Sequence, residues 1–253
     1  MDLTQERSRR AAAAVAGVAV LVLVVSLLVV AAIRGLLPGT ADCTVTIGKQ
    51  TVELSTDEAE AAAAMSARSV RLRRSFPATT AAVADALDRP ARESRLVAAA
   101  LTGRARRALA CTHGGADDEE SDRLGRSGLT ARAAKVRRDI DRAFGRQRVG
   151  GFARGGVSSG HMPGSAHYDG RAVDVFLRPI NRRNKARGWA IAQYLVAQAE
   201  RLEVNTVIFD GQIWTERRAG QGWRDYEPVT RARSREVRAI LLHRDHVHVD
   251  VAD

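Results

Sequence analysis

The stretch Ser165-Ala166-His167-Tyr168-Asp169-Gly170-Arg171-Ala172-Val173-Asp174 sets a histidine and an aspartate seven residues apart. The last eleven residues add His243, Asp245, His246 and His248, so four of the chain's six histidines fall in these two places. Imidazole nitrogens and a carboxylate oxygen are the donors that zinc takes, and a catalytic zinc site uses three of them and keeps a position for water. His167 and Asp174 can supply two donors if a loop runs into a strand and their side chains converge. Gly170 allows the close turn between them. Ala172 shares a strand face with Asp174, and its small side chain leaves room for an ion. His246 and His248 also share a strand face, so that one can ligate while the other faces water or substrate.

These residues need elements to hold them. Leu129, Ala133, Val136, Ile140 and Phe144 recur at helical spacing, and Gly145 ends that helix. A strand is expected over 149–152 and another over 172–177, the second carrying Asp174. An amphipathic helix over 188–202 precedes strands at 204–209 and 212–214, joined by Asp210-Gly211. A short helix over 236–242 leads to the alternating strand His246–Val251. The result is an α+β domain over 129–253. Upstream, Ser55-Thr56-Asp57-Glu58 reads as a capping box before helices at 59–72, 79–87 and 92–101, with a break at Pro90. That gives a small helical region over 43–112, joined by an acidic linker, 113–128, to the domain that follows.

The pattern Ser165-x-His167-x-x-Gly170-x-Ala172-x-Asp174, with His246-x-His248 downstream, resembles the zinc peptidases that cut D-Ala-D-Ala and related bonds in peptidoglycan. Their fold is shared with the signalling domain of hedgehog proteins, and the wording His-Tyr-Asp-Gly-Arg-Ala-Val-Asp is hedgehog-like. The chain is also similar to secreted bacterial and fungal domains ending in Asp-His-Val-His-Val. The resemblance covers roughly 129–253. It implies an antiparallel sheet with flanking helices, and it makes His167, Asp174 and His248 the ligands of a zinc ion. Many of these peptidases place a glutamate three residues before the last ligand, in Glu-x-Trp-His. Here that position is Asp245 and the tryptophan is missing, so the resemblance leaves the proton-shuttling group as His246, Asp245 or His243, in that order. It further implies a supporting or substrate-facing role for His161 and a substrate-facing role for Arg154.

The chain's ends and composition bound where such a site would work. Ala11 to Ile33 is an unbroken apolar run, about 35 Å long as a helix, enough to cross a bilayer core of about 30 Å. Arg7, Arg9 and Arg10 precede it and only Arg34 follows closely. The positive-inside bias therefore predicts a cytoplasmic tail over 1–10, a single membrane anchor over 11–33, and an extracytoplasmic remainder on a bacterial cell membrane. The run is longer than the apolar core of a cleaved signal peptide. In an oxidising compartment, Cys43 and Cys111 are expected to pair. A formal net charge of +11, carried almost wholly by arginine, suits an anionic wall polymer or peptidoglycan; the expected location argues against nucleic acid. No phosphate-binding loop, nucleophile elbow or nucleic-acid module is evident. The leading expectation is a membrane-anchored zinc peptidase acting on peptidoglycan stem peptides. The alternative is a catalytically inactive zinc module that docks on wall polymer or on a wall-synthesis partner.

Overall fold

The computed structural model describes residues 42–116, 118–119, 121, 123–228 and 234–253. The tail and anchor expected over 1–33 lie outside the described residues. Among the described residues no helix is long and apolar enough to cross a membrane.

Two antiparallel sheets with flanking helices make up the fold, as the α+β expectation holds. The larger sheet has six strands: β4 (Val149–Gly150), β5 (Ala172–Phe176), β6 (Val204–Phe209), β7 (Gln212–Thr215), β8 (Arg224–Asp225) and β9 (His246–Val251), in the order β4-β5-β9-β6-β7-β8. The C-terminal strand β9 thus lies centrally, paired with β5 on one side and β6 on the other. Its alternation is strict. Val247, Val249 and Val251 enter the core, while His246, His248 and Asp250 take the opposite face. In register with them, Val173 and Val175 of β5 are buried core residues and Asp174 pairs with His248.

The core face is covered by α5 (Arg182–Ala197), whose residues from Gly188 to Ala197 are all buried. That helix starts six residues earlier than the pattern from 188 predicts, because Asn181 caps it through the Asn184 amide at 2.8 Å. The helix α4 (Ala131–Phe144) buries the expected stripe, with Thr130 as its cap, and ends at Gly145 with φ +77°.

The segment 43–112 is more than helical. Its helices α1 (Thr56–Arg71), α2 (Phe76–Leu87) and α3 (Ala91–Leu101) form as expected, with the Ser55–Glu58 capping box in place. A three-stranded sheet, unforeseen in the sequence reading, accompanies them: β1 (Cys43–Ile47), β2 (Gln50–Leu54) and β3 (Leu109–Cys111). The missed signal is alternation, with Cys43, Val45, Val52 and Leu54 buried on one face around a Gly48-Lys49 turn. Closing β3 onto β1 is a long-range pairing that no local pattern announces.

This small sheet shares a compact unit with the larger one, since Asp42–Asp253 cluster together. Gln193 of α5 is fully buried and explains part of the union. Its carbonyl oxygen accepts from the Ala108 and Leu109 amides at 2.8 and 2.9 Å, and its amide donates to the Ala100 and Ala105 carbonyls. Each such group left unpaired would cost about 1–3 kcal/mol. Trp214 and Trp223 add indole N–H bonds to the Cys111 and Leu109 carbonyls.

Cys43 and Cys111 face each other across β1 and β3 and form a disulfide spanning 68 residues of sequence. In the chain-entropy account, a loop of that size contributes about 4 kcal/mol. Reduction, or the double change Cys43→Ala/Cys111→Ala, is expected to lower unfolding free energy by roughly that amount. Denaturant titration with and without reductant checks it; an unchanged midpoint would refute the estimate.

Candidate metal centre

The centre is assembled on the polar face of β5 and β9. Asp174 on β5 and His248 on β9 are register partners, which brings the His248 Nδ1 within 3.2 Å of the Asp174 Oδ1. His167 arrives from the loop before β5. Gly170, at φ +69°, turns that loop back, its N–H donating to the His167 carbonyl and its own carbonyl receiving the Thr130 amide at the start of α4. A side chain at Gly170 would also strike the Gly128 carbonyl, at 2.6 Å from a Cβ. So the turn that the Gly170 spacing predicts is present, and α4 anchors it.

Three ligand atoms then form a nearly equilateral triangle. His167 Nε2 lies 3.1 Å from His248 Nδ1 and 3.2 Å from Asp174 Oδ1, and the third side is 3.2 Å. Tetrahedral ligands about 2.0–2.1 Å from one ion sit about 3.3–3.4 Å apart, so the triangle is close to what a metal requires. His161 lies just outside it. Its ring stacks on His167 with centroids 3.9 Å apart, and one ligand atom from each of His161, His167 and Asp174 falls within 4.8 Å of the others. These groups, two of them buried and His161 half-buried, could bind a metal ion.

Neighbours fix which nitrogen faces the centre. The His167 Nδ1–H donates to the Gly151 carbonyl at 2.8 Å, leaving Nε2 free to ligate. His248 is arranged the other way, with Nε2–H directed to Asp250 Oδ2 at 3.2 Å and Nδ1 turned inward. Asn205 holds Asp250 in turn, donating to its Oδ1 at 3.0 Å. Asn205 sits where the β6–β9 register shifts, so an irregularity in the ladder aims its amide at that carboxylate.

Gly151, Asn205 and Asp250 went unremarked in the sequence reading. Asp250 could have been found there, because it lies two residues past His248 on a strand and shares its face. Gly151 could not: its need for glycine comes from the His167 ring, which a Cβ would meet at 2.2 Å.

Charge at the centre follows from this packing. Burial opposes ionisation of Asp174, but the hydrogen bonds from His167 and His248 hold its carboxyl far below the usual range. Burial pushes His248 down, yet Asp174 and Asp250 on its two nitrogens outweigh that and raise it to about 9. Metal-free protein at pH 7 therefore keeps His248 protonated, and an ion must displace that proton. Metal uptake is expected to release about one proton at pH 7, with affinity rising about tenfold per pH unit up to pH 9. Calorimetric titration in buffers of different ionisation enthalpy checks this, and no proton release would contradict it.

Above the triangle opens a cleft of about 560 Å³, walled by the 160–164 loop, Tyr226, Pro228 and the end of α6 (Arg235–Leu241). His246 faces it. Its Nδ1–H is held by Asp245 Oδ1 at 2.8 Å, and its Nε2 lies 3.8 Å from Asp174 Oδ1. Asp245 itself sits behind His246 and does not line the cleft. Burial pushes the Asp245 carboxyl up, but His246 and Arg178, whose Nε donates at 2.7 Å, bring it below the usual range. A carboxylate so engaged orients the imidazole and is a poor proton acceptor. His243 lines the cleft beside His246, with ring centroids 4.6 Å apart; burial and the neighbouring imidazoles push it down to about 3. Arg154 is exposed on the turn after Phe152 and does not reach the cleft; the arginine lining it is Arg171, paired with Asp169 and Asp253.

Residues 125–236 match the family model described as VldE, C-terminal domain. The matched stretch takes in His161, His167 and Asp174 and stops short of His243, His246 and His248. No curated protein and no solved structure matches the chain.

Proposed function

We propose that this chain is a zinc-dependent peptidase that hydrolyses amide bonds of peptidoglycan stem peptides outside the bacterial cell membrane, tethered there by its N-terminal apolar segment. The observation that carries the reading is the triangle of His167 Nε2, Asp174 Oδ1 and His248 Nδ1, with a histidine-lined cleft above it. Two imidazoles and one carboxylate suit zinc, and three protein donors leave one position for water. The Cys43–Cys111 disulfide supports an oxidising compartment. On this reading the six-stranded sheet is the scaffold shared by zinc D-Ala-D-Ala peptidases and hedgehog signalling domains.

Bound zinc would supply an acidified water and polarise the scissile carbonyl. His246 is the proton carrier of the site, because Asp245 holds its Nδ1–H and leaves Nε2 as the acceptor toward the cleft. The same nitrogen then returns the proton to the leaving amine. Asp250 and the Gly151 carbonyl hold the two ligating imidazoles in their tautomers.

The test is to purify the full chain, quantify its zinc, and incubate it with a panel of muropeptides read by mass spectrometry. Zinc-dependent loss of one D-Ala, or cleavage of a cross-link, would support the peptidase and name its bond. Stoichiometric zinc with no product across the panel would favour the second reading, an inactive zinc module docking on wall polymer. The observation on that side is that Asp245, standing where a catalytic glutamate is common, is committed to His246 and Arg178.

A further inference from the structure

A second feature lies away from the metal centre, where α1, α4 and α5 meet. Two clefts adjoin there. One, of about 440 Å³, is lined by Arg68, Arg71, Arg142 and Leu72 together with Asp139; the other, of about 400 Å³, is lined by Arg71, Arg73, Arg183 and Arg187. Arg71 belongs to both, so the two form one arginine-lined track.

The second cleft has no carboxylate in its walls. Two of its arginines are held by neutral acceptors instead. Arg71 Nη1 donates to the Arg142 carbonyl at 2.9 Å, and Arg187 Nη2 donates to the Phe144 carbonyl at 3.2 Å, both at the end of α4. The end of that helix offsets roughly half a charge, against four guanidinium groups. Burial together with the nearby Arg183 and Arg73 pushes the Arg187 guanidinium down. Arg73 takes φ +54°, a left-handed conformation where glycine is the usual choice after a helix. Neither Arg73 nor Arg183 has a side-chain hydrogen bond or ion pair among the described residues.

We infer that this track is a binding site for a linear phosphate-bearing polymer, its phosphates seated between Arg71, Arg73, Arg183 and Arg187. Guanidinium forks match phosphate oxygens in pairs, and Arg71 and Arg187, already held by backbone carbonyls, lose less freedom on binding. Concavity favours a chain over a membrane: a bilayer surface rests on convex ground, while a single strand can lie along adjoining clefts. The inference deepens the wall-polymer partner proposed above and rests on that reading for the compartment alone.

The experiment titrates the full chain, purified in non-ionic detergent, with soluble linear polyphosphate, and separately with micelles doped with phosphatidylglycerol. The variant Arg73→Gln/Arg183→Gln removes the two arginines with no internal partner. Arg217→Gln/Arg218→Gln, on an exposed stretch elsewhere, removes the same charge. The expected result is saturable polyphosphate binding, weakened at least about tenfold in the first variant and within about twofold of wild type in the second. Equal losses in both variants would overturn the site in favour of diffuse charge. Binding to doped micelles with none to polyphosphate would overturn it in favour of a lipid surface. Zinc content, measured alongside, is expected to be unchanged in both variants, and muropeptide cleavage is read separately, so failure here and failure of the peptidase reading are distinguishable.

Discussion

Replacing Asp174 with Ala is expected to abolish metal binding, and His167→Ala and His248→Ala should do the same. Structural zinc sites bind with about 10–16 kcal/mol, so one protein ligand of three accounts for about 3–5 kcal/mol, a hundredfold or more in affinity. Asp174 should show the largest loss. It is the single anionic ligand, and its Oδ1 touches both His167 Nε2 and His248 Nδ1. Without it, two buried imidazoles face each other at 3.1 Å with no anionic ligand beside them. Gly151→Ala reaches the same end by another route. The added methyl would meet the His167 ring at 2.2 Å, and glycine's φ of +82° is unfavourable for alanine, so the imidazole must leave its place. Metal analysis after dialysis against a weak chelator, with circular dichroism to show the fold retained, checks all four variants. Full zinc occupancy in Asp174→Ala would sink the ligand assignment.

How much of this site the sequence reveals depends on how local each relation is. His167, Gly170 and Asp174 lie within eight residues, and the turn that joins them is a local matter, so their types and spacing are legible. His246 and His248 are legible as one face of an alternating strand. What is hidden is long-range. Gly151 sits 16 residues before His167, and only the folded ring explains why no side chain fits. Asn205 reaches Asp250 across 45 residues through an irregular strand pairing. Arg154, which the resemblance implies, lies exposed on a turn and is absent from the cleft's lining. The same contrast runs through the fold. Helices α1 to α5 follow from period and caps, whereas β3 joins β1 only because the disulfide partners and Gln193 bring distant segments together.

His246→Ala is expected to separate binding from chemistry. His246 is outside the ligand triangle, its Nε2 lying 3.8 Å from Asp174 Oδ1, so zinc content should stay at one per chain. Hydrolysis should fall by about 10²–10⁴, the usual contribution of a positioned proton carrier. The alternative carriers predict different patterns. If Asp245 were the base, Asp245→Asn would match the His246→Ala loss. Instead Asp245 holds the His246 Nδ1–H and pairs with Arg178, so Asp245→Asn should only misorient the imidazole and cost less. If His243 were the base, His243→Ala would match the His246→Ala loss at full zinc occupancy. Single-turnover rates for His246→Ala, Asp245→Asn and His243→Ala, each at measured zinc occupancy, decide among the three. An active His246→Ala with full zinc would remove it as the proton carrier while leaving the metal centre intact.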